Sequence, residues 1–168
     1  MRILEFGCGT GATAIQHARH VQHVDAIDIS QNMLEIGRDK SAEACIGNIT
    51  FTRATLNEFN AEPESLDAIL GLNVIHLLPD RQAVITEAAR VLKPGGIFVS
   101  STACLGHSYL RFIKLAVPLG KLLGLMPDVF VMTEDELSSE LKSAGFAIER
   151  QWHHGKNGIA VFIVARKV

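Results

Sequence analysis

Cysteine is scarce in this chain, and the few cysteines form no recognisable cluster. The 168 residues contain three, Cys8, Cys45 and Cys104, with no Cys-x-x-Cys pair among them. An odd number of widely spaced cysteines predicts neither a disulfide framework nor a structural zinc site. We therefore expect no bound metal.

The chain also lacks a strong charge of either sign. Its formal net charge is −2, and its basic residues do not form a block. A general nucleic-acid surface needs a basic patch that neutralises phosphates. The sequence therefore argues against a nucleic-acid partner.

Long apolar runs are missing as well. The most apolar region, residues 110–132, is interrupted by four charged side chains: Arg111, Lys114, Lys121 and Asp128. A membrane-spanning helix needs about 20 consecutive apolar residues, so no membrane span is predicted. The amino terminus shows no signal-peptide pattern. Because apolar residues still make up 48% of the chain, we expect one soluble, cytoplasmic domain over residues 1–168.

What the sequence does contain is a glycine-rich segment close to its start. We call the segment from Glu5 to Gly11, in which three glycines alternate with other residues, the glycine loop. An apolar run precedes it and a helix-forming segment follows from Ala12, which predicts a strand, a tight turn and a helix. Glycine tolerates a positive φ and lets a ligand approach the backbone, and a helix amino terminus attracts anionic groups. The loop therefore predicts a nucleotide or carboxylate site.

Two kinds of cofactor use such a loop. Gly7, Gly9 and Ala12 satisfy the G-x-G-x-x-G/A pattern of dinucleotide-binding folds, with Asp28 about 20 residues further on to bind a ribose hydroxyl. The loop begins at an acidic residue and ends in a third alternating glycine, so it also resembles the E-x-G-x-G-x-G loop of class I S-adenosylmethionine (SAM)-dependent methyltransferases. The loop alone leaves an NAD(P)-dependent oxidoreductase and a methyltransferase both open.

The rest of the chain alternates strand and helix patterns. Ser30, Asp80 and Thr133 are predicted to begin helices as amino-terminal caps, and this alternation predicts an α/β fold with a doubly wound, mostly parallel sheet. Two further strands with a short polar link between them predict a carboxy-terminal antiparallel hairpin. The seven predicted strands cover residues 1–6, 23–28, 49–53, 66–70, 97–102, 147–152 and 159–166.

The order of these segments resembles that of the class I methyltransferases of the small-molecule type. A closing hairpin is unusual for a dinucleotide fold but usual in this family. The segment from Val74 to Asp80 is similar to the family's loop after the fourth strand, and the turn from Leu92 to Gly96 is similar to its turn into the fifth. The resemblance covers residues 1–167 and implies a Rossmann-like methyltransferase fold with SAM as the cofactor.

The resemblance also implies roles for individual residues. It implies a pocket for the methionine end of SAM around the glycine loop, Asp28 at the ribose hydroxyls and two apolar neighbours at the adenosine. Thr55 stands where many relatives carry an acidic residue that holds the adenine amino group, and its hydroxyl can accept that bond only more weakly. The implied cofactor-binding residues are Glu5, Gly7, Gly9, Gly11, Asp28, Ile29, Met33, Thr55, Leu56, Leu72 and Asn73, the last two near the sulfonium.

A catalytic base is needed only if the methyl acceptor must lose a proton. His76, His107 and Tyr109 follow the fourth and fifth predicted strands and are therefore candidates. The apolar insertion at about 105–132 occupies the position of a substrate lid in this family and suits a small hydrophobic acceptor. The same residues would suit a pair of core-packing helices or a homodimer surface, and the sequence leaves these alternatives open.

The start of the chain departs from the family pattern. Relatives normally carry a helical segment before the first strand, and we expect this segment to be missing here because the strand pattern begins at Met1. The missing cover keeps a further alternative open, a non-catalytic SAM-binding or interaction protein.

Overall fold

The strands of the protein form one continuous sheet. The computed structural model describes residues 1–103, 130, 132–154 and 160–168. Within these residues lie seven strands: β1 Arg2–Phe6, β2 His23–Asp28, β3 Ile49–Arg53, β4 Leu66–Leu72, β5 Leu92–Ala103, β6 Phe146–His154 and β7 Ala160–Lys167. Their order in the sheet is β3-β2-β1-β4-β5-β7-β6.

Helices connect the strands wherever the sequence predicted them. Ser30, Asp80 and Thr133 each accept a backbone hydrogen bond at the start of a helix, so the three predicted caps are confirmed. None of the described helices is long and apolar enough to cross a membrane. The described helices are α1 Ala12–Ala18, α2 Gln31–Glu43, α3 Leu56–Phe59, a 3₁₀ turn Ile75–Leu77, α4 Arg81–Val91 and α5 Glu134–Ser143.

The strand directions confirm the predicted α/β fold. Strands β1 to β5 are parallel to one another, whereas β7 is antiparallel to both β5 and β6. The order of the strands reverses between β1 and β4, which lie side by side. In an open α/β sheet, ligands bind in the crevice at the carboxyl ends of the strands where this reversal occurs. The topology therefore places a binding crevice beside the glycine loop.

Apolar side chains cover both faces of the sheet. One face carries Leu4, Phe6 and Phe98 and packs against α4 and α5, with the rings of Phe6 and Phe98 stacked at a centroid distance of 6.4 Å. The other face carries Ile3 and packs against Leu34 of α2 and two alanines of α1. Successive residues of a strand point to opposite faces. Glu5 of β1 therefore shares a face with Ile3, and Phe6 lies on the opposite face.

Several strand bounds differ from the prediction, those of β4 and β5 among them. Strand β4 continues to Leu72, so this residue ends the strand instead of following it. Strand β5 begins at Leu92 instead of residue 97, because Leu92 already pairs with Leu66 before an irregularity that contains Gly95 at φ 75°. The 93–96 segment still ends α4 at Val91, as its proline and two glycines predicted.

The predicted insertion at about 105–132 falls almost entirely outside the described residues. Its last residues, Phe130 and Met132, are described, and Met132 is fully buried in the core on the α4 and α5 face. The backbone N–H of Phe130 donates to the carbonyl of His76 at 2.8 Å. The chain is thus fixed to the 3₁₀ turn immediately before α5 begins.

Candidate active site

The glycine loop turns sharply between β1 and α1. Gly7, Gly9 and Gly11 all have a positive φ, of 65°, 53° and 68°. The loop is tied to β2 by a hydrogen bond of 3.1 Å from the Cys8 N–H to the Ile27 carbonyl. Residues with a side chain rarely adopt such φ values. The conformational reason for the three alternating glycines is therefore confirmed.

Two of these glycines are also needed for close packing. A Cβ atom at Gly7 would lie 2.6 Å from Cγ2 of Val74, in the loop after β4. A Cβ atom at Gly11 would lie 2.8 Å from the ring of Phe51 on β3, and the same ring lies against Gly37 of α2. At Gly9, by contrast, no atom of the described residues comes within 4 Å of such a Cβ. Gly7 and Gly11 thus let neighbouring elements approach, whereas at Gly9 the reason for glycine is the positive φ of the backbone.

Asp28 joins the end of β2 to the glycine loop. Its Oδ2 accepts a hydrogen bond from the Gly9 N–H at 2.8 Å, and its Oδ1 accepts one from the Ser30 N–H at 2.9 Å. The second bond is that of a simple turn cap, whereas the first reaches across to the loop. Each carboxylate oxygen has two lone pairs. Asp28 therefore keeps acceptor capacity for ligand hydroxyl groups.

A cavity of about 470 Å³ opens at the predicted crevice. Four segments that are distant in sequence form half of its wall: the glycine loop, the end of β2, the turn before α3 and the loop after β4. Asp28 lies in this half, together with six other residues: Phe6, Gly7, Ile29, Thr55, Leu56 and Asn73. The remaining wall is mostly apolar, with Val74, Leu77, Leu78, Pro79 and Val84, and it also includes Asn57 and Asp80. The cavity can thus hold a flat apolar group beside a hydroxylated one.

Asn73 is held in a strained conformation on the cavity wall. Its φ of 56° is left-handed, and its N–H donates to the Ser101 carbonyl at 2.7 Å. The Ser101 hydroxyl donates to Oδ1 of Asn73 at 3.3 Å, and Ser101 is itself buried. Non-glycine residues in such conformations are often found at functional sites. These two bonds fix both the backbone and the amide group of Asn73.

The hydroxyl of Thr55, which the sequence offered as an acceptor for adenine, already makes hydrogen bonds to Glu58. The hydroxyl accepts from the Glu58 N–H at 3.3 Å, and the Thr55 N–H donates to Oε2 of Glu58 at 2.9 Å, which together form a capping box at the start of α3. The hydroxyl also donates to the same Oε2 at 2.9 Å. The bonds from Thr55 hold the pKa of the Glu58 carboxyl below its ordinary value. Only one lone pair of the hydroxyl remains for an adenine amino group.

Glu5 is buried beneath the glycine loop. It is 3% exposed, and its Oε2 has no hydrogen-bond partner among the described residues. Burial raises the pKa of the Glu5 carboxyl to about 7. Burial also raises the pKa of the neighbouring Cys8 thiol to about 12, with smaller contributions from Glu5 and Asp28. Cys8 is therefore a buried packing residue whose thiol stays protonated at neutral pH.

Of the three candidate bases, only His76 belongs to the described residues. It lies in the 3₁₀ turn between two residues that line the cavity, but it is not itself on the cavity wall. Its Nδ1 is buried without a partner among the described residues, and burial lowers its pKa, which favours the neutral imidazole. His107 and Tyr109 lie outside the described residues.

The predicted cofactor residues fall into two groups. Those on the cavity wall are Gly7, Asp28, Ile29, Thr55, Leu56 and Asn73. The others do not line this cavity: Gly9 and Gly11 lie further along the loop, Met33 is exposed on α2, and Glu5 and Leu72 lie on the α1 and α2 face of the sheet.

Sequence reasoning missed three supporting residues. Val74 begins the segment that resembles the family's loop after the fourth strand, but no sequence signal pointed to its packing against Gly7, and Ser101 carries no motif. Gly37 did carry a signal, because an isolated glycine inside a helix pattern usually has a packing reason. Among the described residues, no three His, Cys, Asp or Glu side chains cluster as metal ligands.

The geometry of the site fits SAM. Asp28 can accept hydrogen bonds from a ribose diol, and the apolar cavity wall suits an adenine ring. The positive-φ glycines leave room for a ligand against the backbone, and the unpartnered carboxyl of Glu5 matches a cationic group.

Sequence comparison gives an independent result. The chain matches the family model described as "Methyltransferase domain" over residues 3–96, which is more than half of its length. It is 29% identical over 155 residues to the ubiquinone biosynthesis O-methyltransferase of Xylella fastidiosa (strain 9a5c), covering 88% of this chain and 61% of the relative. It is 37% identical over 157 residues to the 27-O-demethylrifamycin SV methyltransferase of Amycolatopsis mediterranei (strain S699), covering 88% and 54%. The chain thus spans less than two thirds of the length of these relatives.

A solved structure shares the fold. The YcgJ protein of Bacillus subtilis superposes with a TM-score of 0.82 at 18% identity, covering 99% of this chain and 91% of that one. At this identity the likeness concerns the fold alone. The sequence match carries the assignment further: the chain belongs to the class I SAM-dependent methyltransferase family, as the order of its segments after the glycine loop predicted, with SAM as the cofactor.

Proposed function

We propose that the protein transfers a methyl group from SAM to a small hydrophobic molecule. The observation that carries this proposal is the cavity between the glycine loop and the loop after β4, where Asp28 bonds the loop at Gly9. SAM, when bound, supplies a methyl group already activated on a sulfonium. The protein's task is therefore mainly to position donor and acceptor, an effect that can contribute about 7–11 kcal/mol to catalysis.

The residues of the cavity divide this task among them. Asp28 would hold the ribose hydroxyls through charge-assisted hydrogen bonds, each of about 1.5–3 kcal/mol. Ile29 and Leu56 would border the adenine and exclude water from it. Asn73, fixed by Ser101, would place its amide beside the methyl group, next to Leu72.

Two observations support a small hydrophobic acceptor: the apolar composition of residues 105–132 and the names of the relatives. Residues 105–132 are rich in apolar side chains, and burial of each CH₂ group of an acceptor against such residues contributes about 0.8 kcal/mol. The relatives are named for methylation in ubiquinone biosynthesis and of a demethylrifamycin. If the acceptor loses a proton, the neutral imidazole of His76 is the described group that would take it.

Other predictions on this protein stay predictions. They are the extent of the single domain, the lid role of residues 105–132, a homodimeric state and a cytoplasmic location. The family assignment leaves the oxidoreductase alternative without support. A protein that binds SAM without transferring its methyl group remains an outcome that the following experiment can detect.

Calorimetry and a transfer assay test the proposal together. We expect S-adenosylhomocysteine to bind and NADH not to bind, and we expect labelled methyl groups to pass from SAM to members of a panel of small apolar phenols, amines and carbon acids. A panel of equally small hydrophilic molecules is the control. Tighter binding of NADH than of S-adenosylhomocysteine would contradict the assignment of SAM as the cofactor. Binding without transfer to any panel would contradict the enzymatic proposal.

A further inference from the structure

Two hydroxyl groups of β5 are buried without hydrogen-bond partners. Ser100 and Thr102 are both 0% exposed, and neither hydroxyl oxygen has a partner among the described residues. A hydroxyl buried in this way loses its bonds to water and gains nothing in return. Such groups are rare in folded proteins, and each requires an explanation. The hydroxyl of Ser101, which lies between them in the chain, is by contrast bonded to Asn73.

The two hydroxyls lie on the face of the sheet that packs against α4 and α5. Successive residues of a strand point to opposite faces, so Ser100 and Thr102 share the face of Phe98, which belongs to that core. Phe6 of β1 lies on the same face and also lines the ligand cavity. The hydroxyls and one wall of the cavity are therefore on the same side of the sheet.

The ring of Phe6 lies between the cavity and these hydroxyls. A Cβ atom at Gly71 of β4 would lie 2.3 Å from this ring, so the ring occupies the space above the glycine. Gly71 pairs directly with Ser100 on the adjacent strand, at the strand spacing of about 4.8 Å. The glycine thus leaves a space beside Ser100 that the ring of another strand fills from the cavity wall.

The chemistry of the two hydroxyls indicates which ligand group they suit. A hydroxyl can both donate and accept a hydrogen bond, and it carries no charge. The 3₁₀ turn, which lies against β5, contributes a third unpartnered atom, Nδ1 of His76, whose lowered pKa favours the neutral imidazole. These neutral groups suit a neutral hydroxyl of a ligand. They offer no counter-charge to a carboxylate or an ammonium.

We propose that Ser100 and Thr102 bind a neutral hydroxyl of the methyl acceptor, in a subsite that opens from the cavity when the Phe6 ring moves off Gly71. With the ring on Gly71 the subsite is closed, and the two hydroxyls have no partner among the described residues. A ligand hydroxyl gives them partners, which offsets the cost of moving the ring. The proposal rests on the proposed function, because it concerns the acceptor of that reaction.

The test compares three ligands that share a naphthalene ring. 2-Naphthol carries a neutral hydroxyl, 2-methylnaphthalene a methyl group and 2-naphthoate a carboxylate. Fluorescence of the ring measures their binding at neutral pH to the protein loaded with S-adenosylhomocysteine, so that no methyl transfer occurs. We expect 2-naphthol to bind about fivefold or more tightly than either of the others. The methyl group offers no hydrogen bond, and the carboxylate loses its hydration without a counter-charge.

Matched variants assign the effect to the two hydroxyls. The double variant Ser100→Ala with Thr102→Val should bind 2-naphthol and 2-methylnaphthalene equally, and its melting temperature should not fall, because neither lost hydroxyl has a partner among the described residues. Ser41→Ala is the control. Ser41 is also buried, but its hydroxyl donates to the Ile46 carbonyl at 2.7 Å. This control should lower the melting temperature by about 2–4 °C and leave the preference for 2-naphthol unaltered.

Phe6→Leu tests the closing role of the ring. A leucine side chain is shorter than the ring and leaves part of the space above Gly71 open. This variant should bind 2-naphthol about threefold or more tightly than the unmodified protein does, because no ring has to move. Equal or weaker binding would overturn the role of Phe6 in closing the subsite.

The remaining outcomes separate the subsite from the proposed function. Equal binding of 2-naphthol and 2-methylnaphthalene to the unmodified protein, or no binding of either, would overturn the subsite, whereas methyl transfer to any member of the acceptor panel would leave the proposed function standing. A melting temperature of the double variant as low as that of Ser41→Ala would also overturn the subsite, since the hydroxyls would then be bonded within the folded protein. Failure of both SAM and S-adenosylhomocysteine to bind would overturn the proposed function itself.

Discussion

The carboxylate of Asp28 accepts a hydrogen bond of 2.8 Å from the backbone N–H of Gly9, which ties the end of β2 to the glycine loop. This bond means that one side chain both shapes the loop and faces the ligand cavity. The loop conformation and ligand affinity therefore depend on the same carboxylate.

Replacement of Asp28 by alanine should weaken the binding of S-adenosylhomocysteine by about tenfold or more, because charge-assisted bonds to the ribose are lost. It should also lower the free energy of unfolding by about 1–2 kcal/mol, because the Gly9 and Ser30 N–H groups lose their acceptor. Calorimetry and urea unfolding measure the two effects. Asp39→Ala, an exposed change on α2, is the control. Unchanged affinity for S-adenosylhomocysteine would show that Asp28 caps the turn and does not bind the ligand.

Gly9 and Gly11 should respond differently to alanine. Gly9→Ala should cost about 1–2 kcal/mol, since only its positive φ opposes a side chain. Gly11→Ala should cost about 1–3 kcal/mol more, because its Cβ would also overlap the Phe51 ring. Urea unfolding measures both. The double change Gly11→Ala with Phe51→Leu should recover part of the second cost, and equal losses at Gly9 and Gly11 would contradict the packing argument.

Glu5 should make stability depend on pH in the absence of ligand. Its folded pKa of about 7 lies above the ordinary 4.5, so its stabilising contribution is full below pH 4.5 and is lost as the pH rises through 7. Glu5→Gln should therefore gain stability relative to the unmodified protein by about 3 kcal/mol between pH 4.5 and pH 8. Urea unfolding of both proteins across this range measures the difference. A difference that does not vary with pH would show that folding does not raise the pKa of Glu5.

Asn73 should be more important for the ligand than for folding. Asn73→Gly keeps the left-handed φ without strain, so the unfolding free energy should change by less than about 1 kcal/mol. Asn73→Ala should cost about 1 kcal/mol more than Asn73→Gly, because alanine disfavours this φ. Both variants should lose methyl transfer about equally, since both lack the amide. Full activity in either variant would exclude a role for the amide group.

The secondary structure and the order of its elements along the chain followed from local patterns in the sequence. Alternating glycines require positive φ, buried parallel strands require apolar runs, and Ser30, Asp80 and Thr133 cap helices through groups that lie three residues away. Such signals act between neighbours in the chain, so they can be read from the chain directly. They determined the family, the fold and the location of the ligand crevice.

The tertiary structure decided how the site residues are supported. Phe51 meets Gly11 and Gly37, and Ser101 orients Asn73, across separations of 14 to 40 residues that carry no motif. The hydrogen bonds between Thr55 and Glu58, and the absence of a hydrogen-bond partner for Glu5 Oε2 among the described residues, also emerged only from the folded chain. The physical reason is that burial and hydrogen bonding depend on all neighbours in space, whereas sequence patterns report only neighbours along the chain.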